Sequence, residues 1–430
     1  MAKRGDIIGA IDFGSRHVRV LIVRQNEDGG LQVIGHGTAP GRACVSQGVI
    51  QDQNAAQMAL KEALDQAHKE ARVRAPVCFC AVNGKNVETF IRTANVTLDN
   101  EVVEYQDLEQ AIEKAQNELL AAGKTITCSI TAQEWYVDEL RVIDALGQRG
   151  TVLKARAHFA RMPATIEENL AYCIESQGRE LEDVIFMPLA SALGCLTPED
   201  MELGVAVLDV GRSTTCLALY RDYRILASHV FEWGGYHITR DVSAGLQVNF
   251  DEAEELVLQY GVPEGHIRAL ENSEGVTDTP DSASPPHDDT AIKLKTAVRG
   301  APNSVTRSEL DDIIFERCKE LMTEVRQYLT SRGLAKHLVR GIVLTGGAAD
   351  LKNMPDLADA VFQVHVRRGY PEGIAGLPAP VNTPEYAAVT GVAKHGAAFR
   401  KAVRSGRVPS RGTGGSLWRR LLKWFHRYFL

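Results

Sequence analysis

The sequence predicts an α/β protein in which one fold occurs twice, because the same short pattern appears in both halves of the chain. An apolar strand and an Asp-x-Gly turn over residues 7–15 run into a second apolar strand at residues 18–23. The same order recurs where residues 205–213 run into residues 216–220. Each pattern is typical of a β-hairpin. Since the two Asp-x-Gly turns stand 197 residues apart, we interpret the hairpins as equivalent parts of a duplicated fold.

The two turns carry groups that can hold phosphate. Glycine lets the backbone approach an anion closely, N–H and hydroxyl groups donate hydrogen bonds to it, and a carboxylate can hold Mg²⁺, usually through water. A third element ends in Gly346-Gly347 after an apolar strand. One Asp-x-Gly turn alone would indicate an ordinary hairpin, whereas two turns with a downstream Gly pair indicate a nucleotide site. The turns are Asp12-Phe13-Gly14-Ser15 and Asp209-Val210-Gly211-Arg212-Ser213.

This combination resembles the actin–Hsp70–sugar kinase superfamily, in which two hairpins hold the phosphates of a nucleotide and the Gly pair faces the adenosine. Within it, the sequence most resembles the FtsA family of bacterial cell-division proteins, over nearly the whole chain. The resemblance includes residues 189–200 between the halves and residues 385–392 near the end. It implies an actin/Hsp70-like duplicated ribonuclease-H-type fold with an inserted small α+β subdomain (SHS2 type) and a C-terminal amphipathic helix.

The apolar periodicity of the first half predicts a sheet with helices beside it. After the first hairpin we expect a strand around residues 31–38, a helix over 54–71 and a strand over 77–82. Another helix, over 163–177, starts at a proline, which is favoured at the first helical position. A strand at 183–188 then leads toward the second half of the chain.

Residues 85–157 interrupt this order and predict a compact module. A strand at 87–98 leads to a helix, and strands follow near 125–130, 135–143 and 151–159. One helix with three or four strands resembles the inserted subdomain of FtsA, usually called 1C, which in the family serves filament contacts and division partners. The helix is indicated by apolar residues at helical spacing, namely Leu108, Ile112, Ala115 and Leu119.

After the second hairpin, the sequence predicts a strand at 224–231 and helices near 236–248 and 251–260. Residues 278–286 are rich in Pro, Ser and Asp and are expected to form a loop. A long helix from Ser308 to about Ser331 follows, with Ser308 as its predicted N-cap. The expected units are the first actin-like half (1A) at residues 1–84 and 158–192, the inserted module (1C) at 85–157, the second actin-like half (2A) at 193–235 and 332–400, subdomain 2B at 236–331, a flexible linker at 401–415 and a membrane-targeting amphipathic helix at 416–430.

Composition excludes several classes of protein. Hydrophobic residues make up 44% of the 430 residues and charged residues 24%, which is ordinary for a chain with buried cores. No run of 18 uncharged apolar residues is present to span a membrane, and because the N-terminal residues lead straight into a strand we expect no signal peptide. The eight cysteines are scattered through apolar segments, so we expect them to be reduced and buried in a cytoplasmic protein.

The charge is unevenly distributed along the chain, because the C-terminal part is basic and the rest is acidic. The whole chain carries −7, but ten basic residues and no acid follow Glu385, so residues 1–385 carry −17. Residues 405–415 have the composition of a flexible tether. Wound as a helix, residues 416–430 separate an aromatic, apolar face from a cationic face, which predicts a helix lying in the membrane interface. The apolar face is Leu417, Trp418, Leu421, Leu422, Trp424, Phe425, Tyr428 and Phe429, and the cationic face is Arg419, Arg420, Lys423 and Arg427.

The resemblance implies a nucleotide site, and this chain departs from the family pattern within it. His17 stands where the first hairpin usually carries a phosphate-binding Lys, with Arg16 beside it. Arg212 and Ser213 replace two glycines of the second hairpin, and Cys216 replaces its final acid. We therefore expect ATP and Mg²⁺ to bind with weak or no hydrolysis, and we assign no catalytic residue. The expected contacts are Asp12 and Asp209, which would order Mg²⁺ through water, and Gly14, Ser15, Arg16, His17, Gly211, Arg212, Ser213, Thr214, Thr215, Gly234, Gly235, Glu254, Gly346, Gly347 and Ala348.

The FtsA resemblance implies a membrane adaptor of bacterial cell division. Such a protein would polymerise, bind the anionic membrane surface, tether the ring of the tubulin-like protein FtsZ and recruit later divisome proteins. In relatives the C-terminal tail of FtsZ is held by the subdomain with the long helix, so we expect Arg317, Lys319 and Arg326 to contact it; a solvated helix face is the simpler alternative. We expect a peripheral protein at the cytoplasmic face of the division site and, because the body is acidic, no nucleic-acid partner.

Other functions remain open from the sequence. A pilus-assembly adaptor of the PilM type would share the fold and the inserted subdomain, although it normally lacks the terminal helix. A nucleotide-free pseudo-ATPase scaffold would keep the actin shape alone. A sugar or acetate kinase would need a catalytic acid or base, which Cys216 does not supply, and a chaperone would need a further substrate domain. The terminal helix could instead pack on a protein core or serve as a calmodulin-like target.

Overall fold

The structure is a computed structural model that describes residues 7–26, 29–84, 86–117, 125–274, 288–296 and 303–404. The predicted membrane helix and the linker beyond residue 404 lie outside the described residues, as does Leu119 of the predicted module helix. The strands are β1 (Ile7–Phe13), β2 (His17–Gln25), β3 (Leu31–Pro40), β4 (Val45–Ser46), β5 (Val49–Ile50), β6 (Val77–Val82), β7 (Glu88–Thr97), β8 (Thr125–Val137), β9 (Leu140–Val142), β10 (Val152–Pro163), β11 (Glu180–Phe186), β12 (Val205–Val210), β13 (Thr215–Arg221), β14 (Arg224–Phe231), β15 (Ala291–Lys293), β16 (Ser304–Thr306), β17 (Ile342–Thr345) and β18 (Val366–Arg368). The α-helices are α1 (Gln53–Ala71), α2 (Tyr105–Asn117), α3 (Ala164–Glu175), α4 (Met187–Cys195), α5 (Pro198–Leu203), α6 (Gly235–Leu246), α7 (Phe250–Tyr260), α8 (Glu264–Glu274), α9 (Arg307–Ser331), α10 (Met354–Phe362) and α11 (Ala387–Arg404).

Two five-stranded sheets have the same topology, which confirms the predicted duplication. The first sheet has the order β11-β6-β1-β2-β3 and the second has the order β14-β13-β12-β17-β18. In each sheet three consecutive strands pair antiparallel, and two later strands extend the sheet in parallel beside the first of the three. The strands of the hairpins are buried along most of their length. This burial explains why they read as continuous apolar runs and not as alternating ones.

Helices α4 and α11 cross so closely that their backbones are in contact. A Cβ atom on Gly194 would lie 1.7 Å from the carbonyl oxygen of Ala387, and one on Gly391 would lie 1.7 Å from that of Ala190. Any larger residue would force the helices apart. Both helices pack in the core of the first half, and α4 runs directly toward the second half. The predicted strand at 183–188 begins three residues too late and ends two residues too late, because β11 begins at Glu180 and α4 begins at Met187, where the apolar run hides the boundary.

The inserted region forms a separate four-stranded sheet in the order β7-β10-β8-β9 with α2 on one face. Its apolar core includes Trp135, Phe159, Leu153 and Ile112. The sequence predicts two strands near 125–130 and 135–143, but the structure has one long strand, β8, and the short β9. The register of β8 against β10 shifts twice. Each extra residue breaks the alternation of apolar side chains, so the periodicity of one bulged strand resembles that of two strands.

Helix α9 begins one residue before its predicted N-cap. Thr306 is the N-cap, since its hydroxyl accepts from the Glu309 N–H at 3.3 Å while the Glu309 carboxylate accepts from the Thr306 N–H at 2.7 Å. Ser308 lies inside the helix, and its hydroxyl accepts from the N–H of Asp288 at 2.6 Å. The prediction of Ser308 as the cap was wrong because Thr-x-x-Glu forms a capping box, which satisfies two backbone groups instead of one.

Two predictions from composition can be compared with the described residues. All eight cysteines are buried and none of them forms a disulfide bond, so their prediction as buried core residues is confirmed. Among the helices that the structure describes, none combines the length and the apolar character needed to cross a bilayer.

Candidate functional site

A cleft opens between the two halves, beside both hairpin turns. It encloses about 1020 Å³, including space open to solvent. β1 and β12 bring Asp12 and Asp209 into its lining from the two sheets, and the end of β17 adds Gly346 and Gly347. The duplicated topology therefore assembles at one place three segments that are far apart in sequence.

The two hairpin turns close in the same way. The N–H of Gly14 donates to the carbonyl of His17 at 3.1 Å, and the N–H of Gly211 donates to the carbonyl of Thr214 at 2.9 Å. In each turn a glycine directly follows the strand, and its N–H donates to the carbonyl of the residue three positions later. The equivalence predicted from the two Asp-x-Gly patterns therefore extends to the backbone.

The two turns meet across the cleft through their polar side chains. The hydroxyls of Ser15 and Ser213 lie 2.5 Å apart. The side-chain amide of Asn83, at the end of β6, donates to the hydroxyl of Thr214 at 3.0 Å, and the backbone N–H of Gln47 donates to Ser213 at 3.0 Å. Hydrogen-bonding groups of both halves thus converge where the turns approach each other.

Behind the first turn, the buried guanidinium of Arg19 joins two carboxylates. Arg19 stands opposite Asp12 in the hairpin register, 3.5 Å from its carboxylate. It also donates to Glu385, which enters from the segment before α11. Arg16 and His17 lie 3.5 and 3.8 Å from the Glu385 carboxylate. Buried charges are tolerated when they are paired in this manner.

The two acids of this network have opposite pKa shifts. Burial raises the pKa of Asp12 to about 6; the Arg19 charge opposes this shift and the Asp209 charge adds to it. Burial alone would also raise the pKa of Glu385, but the hydrogen bond from His17 and the charge of Arg19 lower it to about 2. Glu385 is therefore a permanent carboxylate, while Asp12 lies in surroundings that favour an additional positive charge.

The residues present fit a divalent cation. The Oδ1 atom of Asp12 is buried and accepts no hydrogen bond from any residue that the structure describes. Burial raises the pKa of Asp209 as well, although its carboxylate accepts a hydrogen bond from Ser191 Oγ at 2.5 Å. A hydrated cation would supply both positive charge and water donors to these carboxylates. Across the described ranges, no group of three or more His, Cys, Asp or Glu side chains is arranged to hold a metal ion directly.

The Gly pair brings backbone directly against the second turn. Gly346 has a φ of +84°, and a Cβ atom there would lie 2.3 Å from Asp209 Oδ1 and 2.7 Å from the Val210 carbonyl. Only glycine fits this position, both in conformation and in space. A Cβ atom on Gly347 would lie 3.2 Å from the Glu385 carboxylate. The pair thus lies against two acids, Asp209 and Glu385, at one wall of the cleft.

Arg212, which replaces a family glycine, rests on two aromatic rings. Its guanidinium lies 5.2 Å from the ring centre of Tyr236 and 5.3 Å from that of Phe250, and the two rings stack 5.1 Å apart. Such cation–π contacts hold an arginine in place. Burial, and next the charge of Arg42, lower the pKa of Arg212. Arg212 therefore lines the cleft without projecting freely toward a ligand.

Most residues predicted as nucleotide contacts line the cleft, and three do not. His17 faces Glu385, the buried Thr215 hydroxyl donates to the Trp233 carbonyl at 2.9 Å, and Gly234 is the N-cap of α6. The contacts proposed for these three stay predictions. The predicted residues in the lining are Asp12, Gly14, Ser15, Arg16, Asp209, Gly211, Arg212, Ser213, Thr214, Gly235, Glu254, Gly346, Gly347 and Ala348.

The basic residues predicted to hold a partner peptide already have acidic neighbours on the protein. Arg317 pairs with Asp241 and lies 2.7 Å from Glu320, and Lys319 lies 3.6 Å from Glu316. Arg326 also has an interaction within the fold. The predicted membrane-binding residues, Leu417 to Phe429, lie outside the described residues, so their role stays a prediction.

Sequence reasoning missed two charged residues of the site, Arg19 and Glu385. Arg19 interrupts an otherwise apolar strand, and this signal could have identified it as a buried ion-pair partner. Glu385 is the last acid before a long, buried helix, but its partner stands 366 residues earlier in the chain. Only the folded chain brings the two together.

Comparisons with known proteins agree with the FtsA resemblance. The sequence model of the family described as Cell division protein FtsA matches residues 206–391. The chain is 28% identical to Cell division protein FtsA of Pseudomonas aeruginosa, over 92% of this chain and 90% of the relative. It is 27% identical to that of Neisseria meningitidis, over all of both chains, and 26% identical to that of Escherichia coli K12, over 98% of each. The predicted resemblance is confirmed.

Solved structures confirm the actin-like fold. A chain of the PilM-PilN type IV pilus biogenesis complex matches with a TM-score of 0.62 and 17% identity, covering 91% of this chain and 98% of that one. MreB5 of Spiroplasma citri bound to AMPPNP matches with a TM-score of 0.54 and 14% identity, covering 93% and 98%. At these identities the likeness demonstrates a shared fold alone, so a pilus-assembly role has no further support from it.

Proposed function

Because this chain is similar to FtsA cell division proteins along nearly its whole length, we propose that it acts as an actin-like adaptor of bacterial cell division. It tethers the FtsZ ring to the cytoplasmic face of the membrane at the division site, assembles with copies of itself and recruits later divisome proteins. The relatives that carry the name Cell division protein FtsA support the division role, since they match 90–100% of their own length.

In this proposal the cleft binds ATP with Mg²⁺, and the meeting of the two hairpin turns is the observation that carries it. Ser15 and Ser213 come from different halves and their hydroxyls are in hydrogen-bond contact, so a phosphate bound beside this pair would receive donors from both halves. Asp12 and Asp209 would hold Mg²⁺ through water, and the ion would neutralise phosphate charge there. Bound nucleotide therefore joins the halves.

The same residues favour holding ATP over hydrolysing it quickly. A general base needs a free proton acceptor within hydrogen-bond reach of the attacking water. Asp209 already accepts from Ser191, and Glu385 is engaged by Arg19. Asp12, whose Oδ1 accepts no hydrogen bond from any residue that the structure describes, is proposed to hold the water shell of Mg²⁺. Met187, the first residue of α4, also lines the cleft, and its thioether cannot take a proton. We infer slow turnover, with nucleotide acting mainly as a structural ligand.

The membrane and partner contacts are proposed on separate parts of the chain. The sheet formed by β7–β10 serves as subdomain 1C, α6–α9 as subdomain 2B, and residues 416–430 as the membrane-targeting helix. Helix α11 already carries Lys401 and Arg404 in its last turn, which favours an anionic surface beyond it. On α9, an acidic FtsZ tail would replace Asp241 as the partner of Arg317; exchange between exposed carboxylates costs little.

Flotation on anionic vesicles tests this function. FtsZ of the same organism should float with phosphatidylglycerol vesicles only when the full chain is added. A chain ending at residue 415 should leave FtsZ unfloated. Arg317→Ala should float normally yet carry less FtsZ, whereas Arg268→Ala, which removes an exposed arginine of α8 (72% exposed side chain), should match the parent. Failure of the full chain to float FtsZ would overturn the proposal.

A further inference from the structure

Residues 41–50 run from the end of β3 toward α1 beside the cleft, which Gly48 lines; we name this segment the strap. It is anchored in the first half, since the N–H of Gly41 donates to the Arg16 carbonyl at 2.9 Å and Cys44 is buried in the core. Its middle forms the small hairpin of β4 and β5. The strap belongs to the first half, yet two of its residues contact the second.

The first contact is an ion pair between the halves. The Arg42 guanidinium donates to Asp251 at 3.2 Å and to Glu254, both on α7. The Arg42 side chain is 40% exposed and that of Glu254 is 16% exposed. Glu254 lines the cleft, whereas Asp251, with 82% of its side chain exposed, lies outside the lining. Arg42 therefore connects the strap to α7, the helix that carries Glu254 into the lining of the site.

The second contact reaches the phosphate-binding turn. The backbone N–H of Gln47 donates to the Ser213 hydroxyl at 3.0 Å. Gln47 adopts the left-handed conformation with a φ of +48°, and the neighbouring Gly48 lines the cleft. A residue held in this sparsely populated region is maintained by its surroundings. The strap thus contacts two parts of the second half, the hairpin turn at Ser213 and helix α7.

We propose that the strap is a closing device for the cleft and that Arg42 is its latch, a positioning residue that acts through Asp251 and Glu254. The regulation of nucleotide release rests on the proposed ATP binding, whereas closure itself does not. Because exposed ion pairs contribute little free energy, the latch opens readily. Nucleotide dissociates when the ion pair between Arg42 and α7 is broken. Arg42 therefore sets the rate of nucleotide release and does not affect the rate of hydrolysis.

Hydrogen exchange of the nucleotide-free full chain tests closure directly. In Arg42→Ala at low salt, backbone amides of residues 43–50 should exchange about twofold to fivefold faster, as expected for losing up to about 1 kcal/mol. Arg42→Lys should fall between Arg42→Ala and the parent. The matched control Arg268→Ala removes an exposed arginine that pairs with Glu264 within α8 and should leave the strap unchanged. An unchanged strap in Arg42→Ala overturns the closing device.

Release of a fluorescent ATP analogue, chased with excess Mg-ATP, tests the regulatory part. Arg42→Ala and Asp251→Ala should each raise the dissociation rate, and the double variant should release no faster than Arg42→Ala, because both remove the same latch. Faster exchange with unaltered release would overturn the control of release. A parent chain that binds no analogue would overturn the proposed ATP binding, and hydrogen exchange would still decide the strap.

Discussion

At the scale of single residues, Arg19 decides whether the acids of the cleft can be buried together. It is only 7% exposed, as expected for a charge enclosed by partners, and it pairs with Asp12 and Glu385. Removing one member of a buried ion network leaves the others uncompensated, which costs about 3–5 kcal/mol. In the proposed nucleotide site, Arg19 therefore affects both the cleft acids and the stability of the protein.

Replacing this arginine should destabilise the protein strongly. We expect Arg19→Met to lower the free energy of unfolding by about 3 kcal/mol, measured by urea denaturation. Adding Glu385→Gln should recover part of the loss, since it removes a stranded carboxylate. Arg240→Met, at a side chain that is 52% exposed, should change stability by less than about 1 kcal/mol. A similar small effect at Arg19 would mean that water compensates the two acids.

The acids proposed to hold Mg²⁺, Asp12 and Asp209, give a second prediction at this scale. Mg-ATP at a hundredfold excess over its Kd should stabilise the parent chain by about 2.7 kcal/mol, measured by differential scanning calorimetry, and EDTA should abolish the gain. Asp209→Asn keeps the shape of the side chain but removes its charge, so Mg-ATP should stabilise this variant only slightly. Asp222→Asn, at a half-exposed side chain outside the cleft, serves as the control. A parent chain without any gain would be a scaffold that no longer binds nucleotide.

The sequence predicts these acids well because a turn is a local structure. Asp12 and Asp209 each stand two residues before a glycine, and that spacing alone defines the hairpin that presents them. Glu385 could not be predicted in the same way, since its partner Arg19 is 366 residues away. Its role depends on the folding of α11 against the first sheet.

At the scale of elements, periodicity predicts most helices and strands but not their irregularities. The duplicated sheets follow from continuous apolar runs, whereas β8 contains two register shifts that no single-strand pattern contains. The start of α9 is equally hard to predict from the sequence, because two candidate N-cap residues, Thr306 and Ser308, precede its apolar face. Competition between nearby hydrogen bonds decides such boundaries.

The contact between the inserted sheet and the second sheet carries a pH prediction. His158 of β10 is buried, its Nε2 lies 2.8 Å from Ser228 Oγ on β14, and burial lowers its pKa from 6.5 to about 4. Between these values the unfolded chain binds a proton that the native chain does not, so stability falls as pH falls.

The unfolding free energy should therefore drop by about 2 kcal/mol between pH 7 and pH 5 through His158 alone. Guanidinium denaturation at several pH values measures this drop. His158→Gln should flatten the dependence by that amount, whereas His365→Gln, at a side chain that is 76% exposed, should flatten it far less. Parallel curves for His158→Gln and the parent would show that the buried histidine does not titrate in this range.

At the scale of the whole molecule, the charge distribution would keep the body apart from the membrane in the proposed membrane-bound state. Residues 1–385 carry −17, so an anionic bilayer would repel them, while the ten basic residues beyond them are attracted. A coil of the length of residues 405–415 spans roughly 18 Å, which exceeds the Debye length of about 8 Å at physiological salt. The predicted linker is thus long enough to hold the acidic body outside the range of repulsion.

This arrangement predicts that the terminal helix binds lipid by two separable contributions. Trp418→Glu with Phe425→Glu puts two charges on the predicted apolar face, so binding to phosphatidylglycerol vesicles should be lost at every salt concentration. Arg420→Gln with Lys423→Gln leaves that face intact and removes two cations, each worth on the order of 1 kcal/mol near an anionic leaflet. Binding of this second variant should weaken on the order of tenfold at low salt and approach that of the parent at high salt, because salt screens the lost attraction. Vesicle flotation across a salt series measures both. If the first variant floated like the parent, the apolar face would not insert, and the tail would be an electrostatic anchor only.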